Sequence, residues 1–206
     1  MKPFMLAAVA IATLMPLPAS AETAIFAGGC FWCVEIDMDH IKGVTATISG
    51  YAGGTLKNPT YKNHEGHVEA VKVEFDPKIV SYESLLSRFV RTIDVTDADG
   101  QFCDRGFAYT TAIFTTTPEQ AKVAALVLKT AEKQLGQPIV TPLREATTFT
   151  DAEDYHQNYY LGENRVLTRF GLVKQSEAYA GYRKGCGRDA RVKKVWGAAA
   201  YSGGES

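Results

Sequence analysis

The stretch HVEAVKVEF (His67–Phe75) alternates apolar and polar side chains and predicts a β-strand with one buried face. Val71, Val73 and Phe75 fall on the apolar face, and Glu69 shares that face. A carboxylate is rarely buried without a reason, and burial raises its pKa, so that it can act as an acid at neutral pH. The alternative is a solvated glutamate near the end of the strand.

Around this strand, segments with strand and helix patterns are interleaved. The interleaving favours one α/β domain with a mixed, partly antiparallel sheet and helices packed on it. Clear predictions are a strand at Thr23–Ala27, a helix from Phe31, and helices at Ser81–Ile93 and from Pro118 after a Thr117 cap. Weaker patterns predict a strand at Ala108–Thr117, a strand between Ile139 and Phe149, a short helix at Ala152–Leu161 and a mostly helical remainder to Trp196.

The first 21 residues, MKPFMLAAVAIATLMPLPASA, have the pattern of a secretory signal peptide. Lys2 precedes an apolar run, and Ala19-Ser20-Ala21 forms a small-residue cleavage site. The alternative is an uncleaved N-terminal anchor. We therefore expect a signal peptide at 1–21, a catalytic domain at 22–198 and a flexible tail at 199–206, in an exported, periplasmic protein. After cleavage we expect no stable membrane association, because no later segment has a transmembrane pattern.

Composition excludes one class of partner. The 206 residues carry a formal net charge of −1 and are 46% hydrophobic, which suits a globular domain with one core. No basic run stands out, so nucleic acid is not an expected partner. We expect a monomer.

The stretch AGGCFWCVE (Ala27–Glu35) carries two cysteines at the start of the predicted helix. A thiol at a helix N-terminus is favoured as thiolate, which makes Cys30 a candidate nucleophile, although a buried or disulfide-bonded cysteine is an equal alternative. Cys33, one turn further on, can close a disulfide with it. No second ligand pair has matching spacing, so we expect no metal site. Phe31 and Trp32, between the two cysteines, form either core or an apolar wall for a ligand.

Loop residues supply further candidates. Tyr61, Asp104 and Tyr109 lie near strand ends, where functional side chains are common, although each alone is typical of a surface residue. Cys103 and Cys186 complete the four cysteines of the predicted mature chain. Two structural disulfides are the alternative to redox chemistry in an exported protein.

Six stretches in this order resemble the peptide methionine sulfoxide reductase A family: FAGGCFWCVE, GYAGG, NPTY, GHVEAVKVEFDP, FCDRGFAYTTAIF and AEDYHQNYY. The resemblance implies a two-layer α/β sandwich and an enzyme that reduces methionine S-sulfoxide, in proteins and as the free amino acid, and so repairs oxidised proteins. It implies the following roles: Cys30 as nucleophile, Glu69 as acid, Tyr61 and Tyr109 as donors to the sulfoxide oxygen, Asp104 as a residue that shapes the site, and Phe31 and Trp32 as the methyl pocket.

The implied chemistry needs no bound cofactor, only an external, thioredoxin-like dithiol. Cys30 becomes a sulfenic acid, and a second thiol converts it to a disulfide that the external dithiol reduces. Many members of the family resolve the sulfenic acid with cysteines in a C-terminal tail that is cysteine-free here. We rank Cys33 first, Cys186 second and Cys103 third as the resolving thiol. Two alternatives remain: an exported thioredoxin-like thiol–disulfide oxidoreductase that uses Cys30 and Cys33, and a non-enzymatic domain with structural disulfides.

Overall fold

The strands define most of the architecture. The computed structural model describes residues 21–169 and 171–203, so the predicted signal peptide lies outside the described residues except for Ala21. The strands are β1 (Glu22–Gly28), β2 (Val44–Ala52), β3 (Val68–Phe75), β4 (Gly100–Gln101), β5 (Asp104–Arg105), β6 (Thr111–Thr115), β7 (Leu143–Glu145), β8 (Phe149–Asp151), β9 (Arg165–Thr168) and β10 (Gly171–Lys174).

The described residues contain five α-helices. They are α1 (Phe31–Asp39), α2 (Tyr82–Val90), α3 (Pro118–Leu135), α4 (Gln175–Cys186) and α5 (Arg188–Trp196). The hydroxyl of Ser81 accepts a hydrogen bond from the Ser84 N–H at the start of α2, and Thr117 caps α3 in the same way. Among the described residues, no helix has both the length and the apolar character needed to cross a membrane.

Six strands of the described residues pair in the order β7-β6-β1-β3-β2-β8. Pairing is antiparallel from β6 through β1, β3 and β2 to β8, whereas β7 runs parallel to β6. The predicted mixed, partly antiparallel sheet is confirmed. The strand that contains Glu69 lies between β1 and β2, so the carboxylate is carried by an interior strand rather than by an edge.

The helices form a second layer on one face of this sheet. Phe26, Val73 and Phe75 of the sheet pack in one apolar cluster with residues of α1, α2, α3 and α5. Phe26 stacks on Phe89 of α2 with ring centroids 4.5 Å apart. The two-layer α/β sandwich is therefore confirmed.

The C-terminal third differs from the sequence prediction. The predicted helix at Ala152–Leu161 is wrong: the chain forms two single 3₁₀ turns, Asp154–His156 and Tyr159–Leu161. Between them, the Gln157 side chain donates to the Ser49 carbonyl of β2, and the Asn158 N–H donates to the Glu35 carboxylate of α1. The mostly helical remainder is also wrong before α4, where β9 and β10 form an antiparallel hairpin. Within the predicted tail, the Tyr201 N–H donates to the Arg91 carbonyl at 3.0 Å.

Candidate active site

The turn between β1 and α1 places Cys30 at the start of a helix. Gly29 has φ +82°, and a Cβ there would lie 2.6 Å from Cβ of Gln101, so only glycine fits. Cys30 is the N-cap residue of α1, and its carbonyl accepts the Cys33 N–H at 3.0 Å. This first turn brings the two cysteines side by side.

A small cavity opens at Cys30. Its volume is about 50 Å³, which fits the end of one side chain. The seven catalytic and substrate-binding residues predicted from the sequence all line it, together with one residue that was not predicted, Tyr182. The lining residues are Cys30, Phe31, Trp32, Tyr61, Glu69, Asp104, Tyr109 and Tyr182.

Glu69 is buried on the floor of this cavity. Its side chain is 1% exposed, and the alternative of a solvated strand-end glutamate is wrong. Oε2 accepts the backbone N–H of Phe31 at 3.0 Å, which ties the carboxyl group to the first turn of α1. Burial raises the pKa of Glu69 to about 8, against the lowering effect of that hydrogen bond. The group is therefore protonated at neutral pH and can donate a proton.

The two cysteines titrate as one pair. Burial, followed by the hydrogen bond to Cys33, raises the pKa of Cys30 and so opposes the effect of the helix N-terminus. The hydrogen bond from Cys30 lowers the pKa of Cys33 to about 7. The two thiols thus share one negative charge above about pH 7.

Two arginines support the charge on Cys33. Arg188 and Arg183 both lower its pKa electrostatically. Arg188 is 2% exposed, and it donates to the Gly28 carbonyl at 3.2 Å, directly before the catalytic turn. Arg183 is held by an ion pair with Asp37 at 2.9 Å. Side chains of α4 and α5 therefore stabilise a negative charge on Cys33, in the first turn of α1.

Two phenols reach the cavity from separate loops. Burial raises the pKa of Tyr61 to about 12 and also raises the pKa of Tyr109, so both hydroxyl groups remain donors. The backbone N–H of Tyr61 donates to Glu153 at 3.0 Å, and its ring lies 4.4 Å from that of His156. Glu153 and His156 thus position a cavity residue, although the sequence marked them only as part of the AEDYHQNYY motif.

The apolar wall of the cavity is aromatic. Phe31 is 1% exposed and packs against Trp32, with ring centroids 6.0 Å apart. Trp32 stacks on Tyr159 at 3.9 Å with an interplanar angle of 11°, which fixes the indole plane. Tyr182 closes this wall edge-on to Trp32 at 6.2 Å. The wall is rigid and suits a small apolar group such as a methyl.

Tyr182 and Asp104 form one polar edge of the cavity. The Tyr182 hydroxyl donates a hydrogen bond to Oδ2 of Asp104 and interacts with the Cys30 sulfur. Burial raises the pKa of Asp104, and the hydrogen bond from Tyr182 opposes the rise. The only sequence signal for Tyr182 was a second tyrosine three residues after Tyr179, one turn apart on α4.

The other two cysteines are bonded to each other. Cys103 and Cys186 form a disulfide with Cα atoms 4.9 Å apart, whereas Cys30 and Cys33 are free. The alternative of two structural disulfides is therefore wrong, since Cys30 and Cys33 are free thiols. The sulfur atoms and a carboxylate oxygen of Asp104 lie within 4.8 Å of one another, but the disulfide leaves no thiolate there to bind a metal.

Taken together, the cavity combines a nucleophilic dithiol, a protonated carboxyl group, two phenol donors and an aromatic wall. Such a set can protonate an oxygen on a small apolar group while a sulfur attacks the atom that carries the oxygen.

Comparison with known proteins agrees with this chemistry. Residues 22–195 match the family model described as peptide methionine sulfoxide reductase. Peptide methionine sulfoxide reductase MsrA 2 of Rhizobium meliloti (strain 1021) is 52% identical over 192 residues, which cover 91% of each chain.

Two solved structures are also similar. Methionine sulfoxide reductase A of Corynebacterium diphtheriae is 29% identical, with a TM-score of 0.65 over 77% of this chain and 85% of that one. Reduced Mxr1 of Saccharomyces cerevisiae is 26% identical, with a TM-score of 0.64 over 71% of this chain and 88% of that one.

Proposed function

Since the chain belongs to the peptide methionine sulfoxide reductase family, an oxidoreductase family that reduces methionine sulfoxide with thiols, we propose that it reduces methionine S-sulfoxide to methionine with Cys30 as the nucleophile. One observation carries the proposal: Cys30, Glu69, two phenols and an aromatic wall line a single cavity of about 50 Å³. The substrates are oxidised proteins and free methionine sulfoxide.

In the first step, the substrate methyl group contacts Phe31 and Trp32, and the sulfoxide oxygen faces Glu69. An unactivated sulfoxide oxygen is a poor leaving group, so Glu69 protonates it while Tyr61 and Tyr109 donate hydrogen bonds. The Cys30 sulfur attacks the substrate sulfur as its proton passes to Cys33. The protonated oxygen then passes as a hydroxyl group from the substrate sulfur to Cys30, the bond between the two sulfurs breaks, methionine leaves, and Cys30 becomes a sulfenic acid.

In the second step, Cys33 resolves the sulfenic acid. The thiol of Cys33 attacks the Cys30 sulfur, the Cys30–Cys33 disulfide forms, and the oxygen leaves as water. The proximity of the two residues supports this choice, since their backbones are hydrogen-bonded at 3.0 Å. Cys103 and Cys186, the other candidates, are bonded to each other on the outer side of Asp104.

The cavity is chiral, which supports stereospecific reduction. Sulfoxide sulfur is pyramidal, and the cavity is lined by an aromatic wall, by oxygen donors and by the nucleophilic Cys30. Only one hand of the sulfoxide can place its methyl group, oxygen and sulfur against these groups at once. The resemblance of the motifs to the family supports the S configuration.

We expect the chain to reduce methionine S-sulfoxide at least about 100-fold faster than the R epimer, because the wrong hand turns its oxygen toward the aromatic wall. Separate kinetics on the two purified epimers, with dithiothreitol as reductant, provide the measurement. The R epimer is the matched control. Equal kcat/KM values for the two epimers would overturn the stereochemical assignment.

The physiological reductant in this proposal is a thioredoxin-like dithiol protein. Mxr1 has been solved in complex with Trx2, which supports a reductant of this kind. We propose that the chain is exported to the periplasm, on the basis of the pattern of residues 1–21. We propose that it acts there as a monomer. The thioredoxin-like alternative is not favoured, because the family match extends over residues 22–195 and the cavity serves sulfoxide chemistry.

A further inference from the structure

Arg188, the first residue of α5, is buried beside the turn that carries the two free cysteines. Its side chain is 2% exposed, and Nη1 donates to the Gly28 carbonyl at 3.2 Å. The guanidinium also lies over the ring of Phe102, with Cζ 4.7 Å from the ring centroid. A permanently charged side chain is almost never buried to this extent without a partner of opposite charge.

The ion pair that Arg188 forms leaves part of its guanidinium without a partner. Nε lies 3.6 Å from Oδ2 of Asp37, which is beyond hydrogen-bond distance. Asp37 is bonded more closely to Arg183, whose Nη2 lies 2.9 Å from Oδ1. Nε and Nη2 of Arg188 are buried and have no hydrogen-bond partner among the described residues. A buried charge that is paired so incompletely is destabilising unless another anion lies near it.

The face of α1 that Arg188 and Arg183 contact also carries Cys33. Asp37 follows Cys33 by four residues in this helix, so the two side chains lie on the same face. Arg183 also donates to the hydroxyl of Tyr179 at 3.0 Å, and Tyr179 packs in one apolar cluster with both free cysteines. The two guanidinium groups therefore act on the sulfur pair as well as on Asp37.

The other titratable groups around the sulfur pair do not supply the missing anion at neutral pH. Glu69, with a pKa of about 8, is protonated, and burial raises the pKa of Tyr179 and of Tyr182, so both phenols are neutral. Asp104 is bonded to Tyr182 rather than to an arginine. Asp189 pairs with the other arginine and is half exposed, so water screens its charge. The negative charge of the reduced sulfur pair is therefore the partner that the buried guanidinium lacks.

We propose that Arg188 is a positioning residue that makes the Cys30–Cys33 disulfide readily reducible, because its charge stabilises the negatively charged reduced pair and not the uncharged disulfide. The inference rests on the proposed function, in which turnover forms this disulfide. An external dithiol supplies two electrons and two protons and is itself oxidised to a disulfide. The bond between Cys30 and Cys33 breaks, one proton stays on the pair as a thiol, and the other proton goes to solvent.

The same charge affects the rate of this reduction. Exchange is faster when the departing sulfur is a stabilised thiolate, and Cys33 departs beside Arg188 and Arg183 when the dithiol attacks Cys30. The N-terminus of α1 also favours negative charge near Cys30, but this contribution belongs to the backbone and is unchanged by a substitution in α5. The contribution of Arg188 can therefore be measured separately.

The redox equilibrium of the Cys30–Cys33 pair in glutathione buffers tests the proposal. Wild-type protein and Arg188→Gln are equilibrated with reduced and oxidised glutathione, free thiols are alkylated, and the state of this pair is read by peptide mass spectrometry. At about pH 9, the equilibrium constant for reduction of the disulfide is expected to be about tenfold lower in the variant, which corresponds to a potential about 30 mV more negative. At about pH 5.5 the two proteins are expected to agree, because the reduced pair is then uncharged.

Lys194→Gln is the matched control, because it removes a positive charge from an exposed position of the same helix. Its equilibrium constants should equal those of the wild-type protein, and Arg188→Lys should stay close to them because it keeps the charge. Arg188→Met replaces the glutamine variant if that protein does not fold. A difference of less than about twofold at about pH 9, or an equal difference at both pH values, would overturn the proposal and leave the proposed function intact. Wild-type protein that forms no methionine from the sulfoxide would overturn the proposed function instead.

Discussion

Replacing Cys30 by serine abolishes the reduction of methionine S-sulfoxide, with an expected loss of at least about 1,000-fold in kcat with dithiothreitol as reductant. A serine hydroxyl is far less nucleophilic than a thiol in this pair and cannot carry the oxygen away as a sulfenic acid. The exchange of sulfur for oxygen removes little volume at a position that is 6% exposed, so the fold is expected to remain. The measurement is steady-state formation of methionine.

The matched control for this variant is Cys33→Ser, three residues along the same helix. It is expected to form one methionine per chain and then to slow, because the nucleophile is intact and the resolving thiol is missing. Cys30→Ser should form none in the same experiment. Substantial turnover by a folded Cys30→Ser protein would remove the nucleophile from the mechanism.

The second large effect is expected for Glu69→Gln, with a loss of about 100- to 10,000-fold in the rate of the first turnover. An amide fills the same space and can donate a hydrogen bond, but it cannot transfer a proton to the leaving oxygen. The measurement is rapid-quench formation of methionine by the reduced protein. Glu74→Gln is the matched control, because Glu74 lies on the same strand and points away from the cavity face.

The pH dependence of the first-turnover rate tests the role of Glu69 as the acid. Glu69 has a pKa of about 8 and must be protonated, so the first-turnover rate of the wild-type protein should fall above about pH 8. The cysteine pair must carry its negative charge, and the pKa of Cys33 is about 7, so the rate should also fall below about pH 7. Glu69→Gln should lose the alkaline fall and keep the acidic one. An unchanged alkaline fall in the variant would assign the acid to another group.

Local patterns in the sequence are sufficient to predict the strand that contains Glu69 and the turn that precedes Cys30. The two-residue period of β3 places Glu69 with Val71 and Val73, and burial of that face follows from hydrophobicity alone. The glycine pair before Cys30 likewise predicts a tight turn into a helix, and Gly29 adopts the positive φ that such a turn needs.

Long-range contacts explain what the sequence could not predict. Tyr182 meets Asp104 across 78 residues, and the Cys103–Cys186 bond spans 83. Four cysteines allow three pairings, and spacing does not choose among them. The helix N-terminus near Cys30 is visible in the sequence, whereas burial raises the pKa of Cys30 and the distant Arg188 lowers that of Cys33. Each of these properties depends on α4 and α5 packing against earlier parts of the chain.

The most direct test of Cys30 as the sulfur that accepts the sulfoxide oxygen is to trap the sulfenic acid. The reduced Cys33→Ser protein is mixed with methionine S-sulfoxide in the presence of dimedone, which reacts with sulfenic acids, and the adduct is located by peptide mass spectrometry. We expect one methionine per chain and an adduct on Cys30. Methionine formed in the same amount with the adduct on Cys103 or Cys186, and none on Cys30, would contradict the mechanism.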